Sequence, residues 1–230
     1  MRRFLIAFLL IAFSAGSADA QRRRTVQTGE PGTWLSLSLA GFTGDGVNDG
    51  RSASSWDFGN STNFQYGASL ERPIGGGSSF GIAGSYSRVP FVYSSNTGIP
   101  LPGNISGARC VSCDAHLDMM SLVGTFHLGS GVGFHQVITF SGGIVAYQNL
   151  KRDADNVKLA PGGGNIDPLF SFGYGIGYGL SERTALEFVP DYSIAIHERS
   201  GLSNGESNTN GMRSFKLALR MGFGGRTVRR

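Results

Sequence analysis

The sequence predicts an all-β protein: one eight-stranded antiparallel up-and-down transmembrane β-barrel over residues 33–223. Three observations predict it. Phe215-Lys216-Leu217-Ala218-Leu219-Arg220-Met221-Gly222-Phe223 alternates large apolar residues with small or charged ones without a slip. The same alternation recurs in eight segments along the chain. An export signal stands at the other end. Side chains in a strand alternate sides with period two, so each segment has one apolar face and one small or polar face. With the apolar faces toward lipid and the others inward, the pattern is that of a barrel in a membrane. A secreted, soluble barrel of lipocalin type is the competing architecture, and it would enclose the apolar faces instead.

At the N-terminus, Arg2 and Arg3 precede an apolar run from Phe4 to Phe13, and a small-residue segment ends in Ala18-Asp19-Ala20. Residues 1–20 are therefore expected to be a signal peptide cleaved after Ala20. No later stretch approaches the roughly 20 continuous apolar residues of a membrane helix. No cysteine follows the cleavage site, so no lipoprotein anchor is expected. Residues 21–32 form a periplasmic N-terminal segment and residues 224–230 a basic C-terminal tail.

The first strand is read over Trp34 to Phe42, with Leu35, Leu37 and Leu39 against Ser36, Ser38 and Ala40. The second runs from Asn63 to Glu71, with Phe64, Tyr66, Ala68 and Leu70 outward. The third, Phe80 to Val89, turns Phe80, Ile82 and Tyr86 outward. The fourth, about Leu117 to Leu128, opposes Met120, Leu122, Phe126 and Leu128 to Ser121, Val123, Thr125 and His127. The fifth, about Phe134 to Tyr147, is weaker because Gln136 interrupts its outer face. The sixth is the clearest: Phe170, Phe172, Tyr174, Ile176, Tyr178 and Leu180 against Ser171, Gly173, Gly175, Gly177 and Gly179. The seventh, Thr184 to Ile196, opposes Leu186, Phe188, Tyr192, Ile194 and Ile196 to Glu187, Val189, Asp191 and Ser193. The eighth is the terminal segment.

Connection lengths alternate. Thr43 to Thr62, Pro90 to His116, Gln148 to Asp167 and His197 to Gly211 are long and polar; Arg72 to Ser79, Gly129 to Gly133 and Ser181 to Arg183 are short. Outer-membrane barrels have long extracellular loops and short periplasmic turns, and an even strand count puts both termini in the periplasm. The 36 glycines in 230 residues, about twice the usual share, suit tight turns and crowded inner faces. The formal charge of +4 is modest and much of it lies in Arg22, Arg23, Arg24, Arg226, Arg229 and Arg230. These are solvated termini or contacts with anionic head groups. Export argues against nucleic acid as a partner.

On these features the chain resembles the small eight-stranded outer-membrane β-barrel proteins, the superfamily of OmpA-type transmembrane domains and OmpX-like proteins. The resemblance covers about Trp34 to Phe223. It implies a monomer in the outer membrane of a Gram-negative-type cell, in contact with lipid and lipopolysaccharide and inserted by the barrel-assembly machinery. It also implies that Phe223 is the aromatic assembly signal of the last strand; the tail Gly224 to Arg230 departs from a strictly C-terminal signal. No peptidoglycan-binding domain is expected, so the wall-anchoring role of some members is not carried over.

Eight strands leave a bore that side chains can fill, and charges inside it must be paired. The inward faces carry Glu187 and Asp191 on the seventh strand and Lys216 and Arg220 on the eighth. One antiparallel register sets Glu187 opposite Arg220 and Asp191 opposite Lys216. Glu71 lies at the same height and joins them, giving an expected interior ion-pair cluster that plugs the bore. Independent hydration of these residues in a wet lumen is the alternative.

Other candidates are weaker. Cys110 and Cys113, the only cysteines, suit a disulfide ring in an exported loop. With His116 nearby a zinc site is conceivable, but a structural site needs four ligands and no second cluster exists. His127 and His135 sit symmetrically about the turn Gly129 to Gly133 and are expected to face each other. His197-Glu198-Arg199-Ser200 lacks the spacing expected of a lipid-A deacylase. Asp45, Asp49 and Asp57 miss the EF-hand pattern. The Gly173–Gly179 run lies in a strand and is no nucleotide loop. Arg88, outward at the end of the third strand, meets lipopolysaccharide phosphate or snorkels. No metal and no cofactor is expected. The expected function is non-enzymatic: a barrel presenting four loops to an unidentified extracellular ligand. The alternatives are a narrow channel or carrier for small solutes and a lipid-A-modifying enzyme.

Overall fold

The computed structural model describes residues 31–59, 62–95, 110–161 and 164–225. The expected signal peptide, nearly all of the N-terminal segment and the basic end of the tail lie outside them. Ten strands form one antiparallel sheet: β1 (Thr33–Gly44), β2 (Val47–Asp49), β3 (Ser54–Asp57), β4 (Asn63–Gly75), β5 (Ser78–Ser95), β6 (Cys113–Leu128), β7 (Gly133–Arg152), β8 (Asn165–Ser181), β9 (Thr184–Ile196) and β10 (Thr209–Phe223). The order is β2-β3-β5-β4-β1-β10-β9-β8-β7-β6, and β5 also pairs with β6. That last pairing closes eight strands into an up-and-down barrel, which leaves no open edge in the wall. β2 and β3 form a small hairpin added to the upper end of β5.

The orientation of the faces answers the competing soluble architecture. Phe172, Tyr174 and Ile176 point outward and are about half exposed, at 48%, 51% and 55%, while Gly173, Gly175, Gly177 and Gly179 point in and are buried. Leu37, Phe64, Tyr66, Leu70, Ile82, Leu122, Phe140, Phe188 and Leu217 continue the same outward band. Water would make this surface very costly; hydrocarbon makes it favourable. Aromatic residues gather at its two borders, as at membrane interfaces. Phe80, Phe134, Tyr178 and Phe223 stand near the short turns, and Tyr66, Tyr86, Tyr192 and Phe215 toward the long connections. The outward charges Arg72 on one side and Arg88, Asp118 and Arg213 on the other bound the band. The molecule is a transmembrane barrel of the outer-membrane type.

Several strands run further than the alternation suggested. β5 continues to Ser95, β6 starts at Cys113 and β7 reaches Arg152. Beyond the band the polarity of the faces inverts. Val89, Phe91 and Tyr93 on β5, Ala115 and Leu117 on β6 and Tyr147 on β7 are buried inward, while Arg88, Asp114 and Gln148 face out. The solvent outside this part of the wall is water, so apolar residues move to the inside. The first long connection also holds the β2–β3 hairpin, and the short connection Arg72 to Ser79 shrinks to Gly76 and Gly77, both at positive φ.

Candidate functional site: a polar chamber between a charged floor and an aromatic cap

The inward faces line a cavity of about 150 Å³ in the middle of the barrel. Its walls carry hydroxyls from nearly every strand, among them Ser36, Ser69, Ser121, Ser171 and Ser214, and four charged residues, Asp191 and Lys216 at mid-height and Glu71 and Glu187 toward the short turns. Small polar side chains follow from the inward parity of each strand, where bulk would collide across a narrow bore.

The floor lies toward the short turns. Arg220, 2% exposed, donates from Nη2 to Glu71 Oε2 at 2.6 Å and to Ser79 Oγ. Its Nη1 donates to His127 Nδ1 at 2.9 Å and lies 3.8 Å from Glu187 Oε1. The guanidinium sits 4.6 Å over the Trp34 ring, a cation–π contact in a dry setting. Ser69 and Ser79 donate to the two oxygens of Glu71 at 2.7 and 2.5 Å. His127 Nε2 contacts Glu187 Oε1 at 3.0 Å. The network assigns His127 its tautomer: Nδ1 accepts from Arg220, so Nε2 carries the hydrogen given to Glu187. Arg220 thus ties β10 to β4, β5 and β6 across the bore.

Of the five residues expected to form the interior cluster, Glu71, Glu187 and Arg220 stand together. Asp191 and Lys216 do not join them. The register differs by two residues from the one expected: Ala218 faces Glu187, Ser214 faces Asp191, Val189 faces Lys216 and Ala185 faces Arg220. Among the described residues no ion pair links Asp191 with Lys216, and Asp191 instead accepts from Ser193 at 2.9 Å. The long connection between β9 and β10 imposes no register, so packing across the bore decides it. His127 is opposite Thr139 rather than His135; His135 packs over Gly177, where a Cβ would come within 2.3 Å of its Nε2. Trp34, Ser79 and His127 were not expected in the floor, although the inward parity of Trp34 and His127 is legible in their strands.

The roof is the inverted upper half of the barrel. Trp56 on β3 is fully buried, with ring centres of Tyr147, Phe91 and His197 at 5.7, 6.5 and 5.6 Å. Phe42, Met119, Val123, Val145, Leu169 and Met212 belong to this apolar cluster and also line the chamber. His197 is buried at its side. Its Nδ1 lies 2.9 Å from Asp167 Oδ2 on β8, its Nε2 3.7 Å from Asp49 Oδ1 on β2, and the end of the Asn165 amide 3.0 Å from Nε2; with hydrogens on both ring nitrogens, Asn165 turns its amide oxygen toward Nε2. Burial pulls the His197 pKa down, but the hydrogen bond to Asp167 and the charges of Asp167 and Asp49 override it and raise it to about 9. Burial raises Asp49 in turn, and the nearby His197 with the hydrogen bonds from Ser52 and the Arg51 amide outweighs this and holds it below the ordinary carboxylate value.

The other candidates separate. Cys110 and Cys113 are joined as a disulfide beside the upper end of β5. His116 pairs with Asp153 at 2.5 Å. Asp57 caps the Gly59 amide, and Asp49 serves His197, so Asp45, Asp49 and Asp57 share no site. Among the described residues no group of three or more His, Cys, Asp or Glu is placed to hold a metal. Ser200 donates to Glu198 rather than to His197. Phe223 ends β10 and is half exposed. Arg88 faces outward beside Asp118, which accepts from Tyr86 at 3.0 Å and from Asn149 at 2.7 Å.

No protein-family model matches the chain, and no curated protein does. Solved structures of similar shape include Neisserial surface protein A, 12% identical with a TM-score of 0.48 over 84% of this chain and 97% of that one. The outer membrane protein OprG from Pseudomonas aeruginosa is 11% identical, TM-score 0.43, over 86% and 100%. Ail, the attachment invasion locus protein of Yersinia pestis, is 8% identical, TM-score 0.42, over 82% and 97%.

Proposed function

We propose that this is a non-enzymatic outer-membrane barrel that presents its long connections at the cell surface as a folded cap, and that its bore does not conduct. The reading rests on one observation: the polar chamber lies between the Arg220 floor and the Trp56 roof, so both ends of the bore are occupied by packed side chains. A wide diffusion path needs an open lumen from end to end, and eight strands leave a bore only just wide enough for side chains or one small molecule. The long connections face outward from the cell, Phe223 serves barrel assembly, and Arg88 with the other border charges meets lipopolysaccharide. The protein works as a monomer, since the closed wall leaves no strand edge to pair.

Catalysis finds no support in the arrangement of His197. Its ring nitrogens face carboxylates and an amide, whereas an activated serine needs its base in hydrogen-bond reach.

Single-channel recording in planar bilayers tests the reading. The purified barrel should add little or no conductance; steady stepwise openings in the intact protein would replace this reading by the narrow-channel one. Mass spectrometry of lipid A from cells with and without the protein should show no change.

A further inference from the structure

Among the described residues, the β2–β3 hairpin is the pair of strands added to the sheet outside the closed wall, and it carries Trp56 into the mouth of the bore. What holds it there is unevenly distributed. Its own pairing to β5 covers only Ser54 to Asp57. Its tip touches the fourth long connection backbone to backbone, since a Cβ on Gly50 would come within 2.3 Å of the Gly201 carbonyl carbon. Beside that contact Arg51 pairs with Glu198 at 2.8 Å in an exposed position, which is worth little. The buried connections are Trp56, packed against Phe91 and Tyr147, and His197. His197 bridges Asp49, on the hairpin, and Asp167, on the barrel wall, and it packs edge-on against Trp56.

We propose that His197 is a latch: as an imidazolium between Asp49 and Asp167 it keeps the β2–β3 cap seated over the polar chamber, and when it loses its proton or its side chain the cap opens the chamber to the outside. The proposal rests on the reading that the bore is closed at both ends. Without the proton, two buried carboxylates of like charge face each other across a neutral ring, and the hairpin is the element free to move. The groups that face this centre come from every element around it. They are Asp49 with Ser52 on the hairpin side, Asp167 and Asn165 on β8, Tyr147 on β7 with Asn210 on β10, and Tyr93 on β5, hydrogen-bonded to Ser54. Burial raises the Tyr93 pKa from its ordinary value, so this phenol stays neutral where His197 titrates. Below the ordinary imidazole range the latch is fully charged. It is lost as pH rises through about 9, the direction required of a group whose pKa is raised by folding.

A thiol placed in the chamber reads the cap directly. Ser214→Cys puts one on the chamber wall, while the native cysteines are engaged with each other. The full barrel in lipid nanodiscs is treated with a charged, membrane-impermeant thiol reagent. Rates are normalised to Asn204→Cys on the exposed fourth connection, which removes the reagent's own pH dependence. Near neutral pH the Ser214→Cys protein should react slowly; reaction as fast as the exposed control would overturn the reading of a closed bore. Adding His197→Gln should accelerate labelling about tenfold or more, the effect of removing hydrogen bonds to charged groups. Raising the pH to near 10 should do the same in the protein that retains His197. If His197→Gln folds, shown by heat-modifiable gel migration, and still protects the thiol as well as the parent does, the latch is overturned while the closed bore stands. If His197→Gln does not fold, the alkaline arm decides by itself: unchanged protection near pH 10 overturns the latch.

Discussion

Arg220 and Lys216 share an inward face of one strand, yet their surroundings differ sharply. Arg220 is buried and bonded to Glu71, Ser79 and His127, whereas Lys216 borders the polar chamber with no ion pair among the described residues. Removing one member of a buried charge network leaves its partners uncompensated, so Arg220→Ala should lower stability by about 3–5 kcal/mol. Lys216→Ala should cost less, about 1 kcal/mol or below, because Lys216 acts on Asp191 through charge alone, with no ion pair or hydrogen bond to it. Urea unfolding in lipid vesicles measures both, and equal losses would contradict the assignment of the floor. Glycine supplies a second contrast. A Cβ on Gly175 would meet the Phe188 carbonyl oxygen at 2.1 Å, whereas on Gly84 its nearest neighbour lies at 3.5 Å. Gly175→Ala should cost about 1–3 kcal/mol through overpacking, and Gly84→Ala should be close to neutral in the same assay.

At the scale of elements, the wall strands live in two solvents. In the band, β5 turns Phe80 and Ile82 outward; above it the same strand turns Phe91 and Tyr93 inward. The outward-apolar pattern therefore ends at the border, and a search for that pattern truncates the strand there. This is why the first, second and third long connections read as loops although parts of them are paired. The cap that results behaves like a small soluble core. Trp56→Ala should lower the stability of the cap by about 3–5 kcal/mol while leaving the barrel's heat-modifiable migration intact. Limited proteolysis of the β2–β3 hairpin in nanodiscs reads the difference. The same assay has a pH profile. His197 is raised by folding, so its contribution is complete below about pH 6.5 and disappears as pH rises through about 9. Asp49 is lowered, so its share is present above its ordinary pKa and lost in acid. Protection of the hairpin should thus fall at both extremes and be greatest between them.

For the whole molecule the deciding quantity is which way the apolar faces look. Leu37 stands in the band, opposite Leu219 and beside Ala68, and is 49% exposed. Leu37→Arg places a charge in hydrocarbon and should cost about 2–4 kcal/mol near the midplane. In a soluble barrel with the same face in water it would cost almost nothing. Folding into vesicles with and without the substitution makes the distinction, and the protein should need detergent or lipid to stay in solution.

The eight wall strands, their up-and-down order and the orientation of the faces were legible because they depend on local alternation, which period-two geometry converts directly into sidedness. Glu71, Glu187 and Arg220 were legible as interior charges for the same reason, and their need for partners follows from burial alone. Their partners were not. A register two residues from the expected one, His127 and Trp34 in the floor, and the union of Asp49, Asp167 and His197 from three separate segments all depend on contacts across the bore or between connections. The primary structure by itself determined the sidedness of the wall. Only the tertiary structure decided what closes the barrel at each end, because those contacts join residues distant in the chain and no local periodicity encodes them.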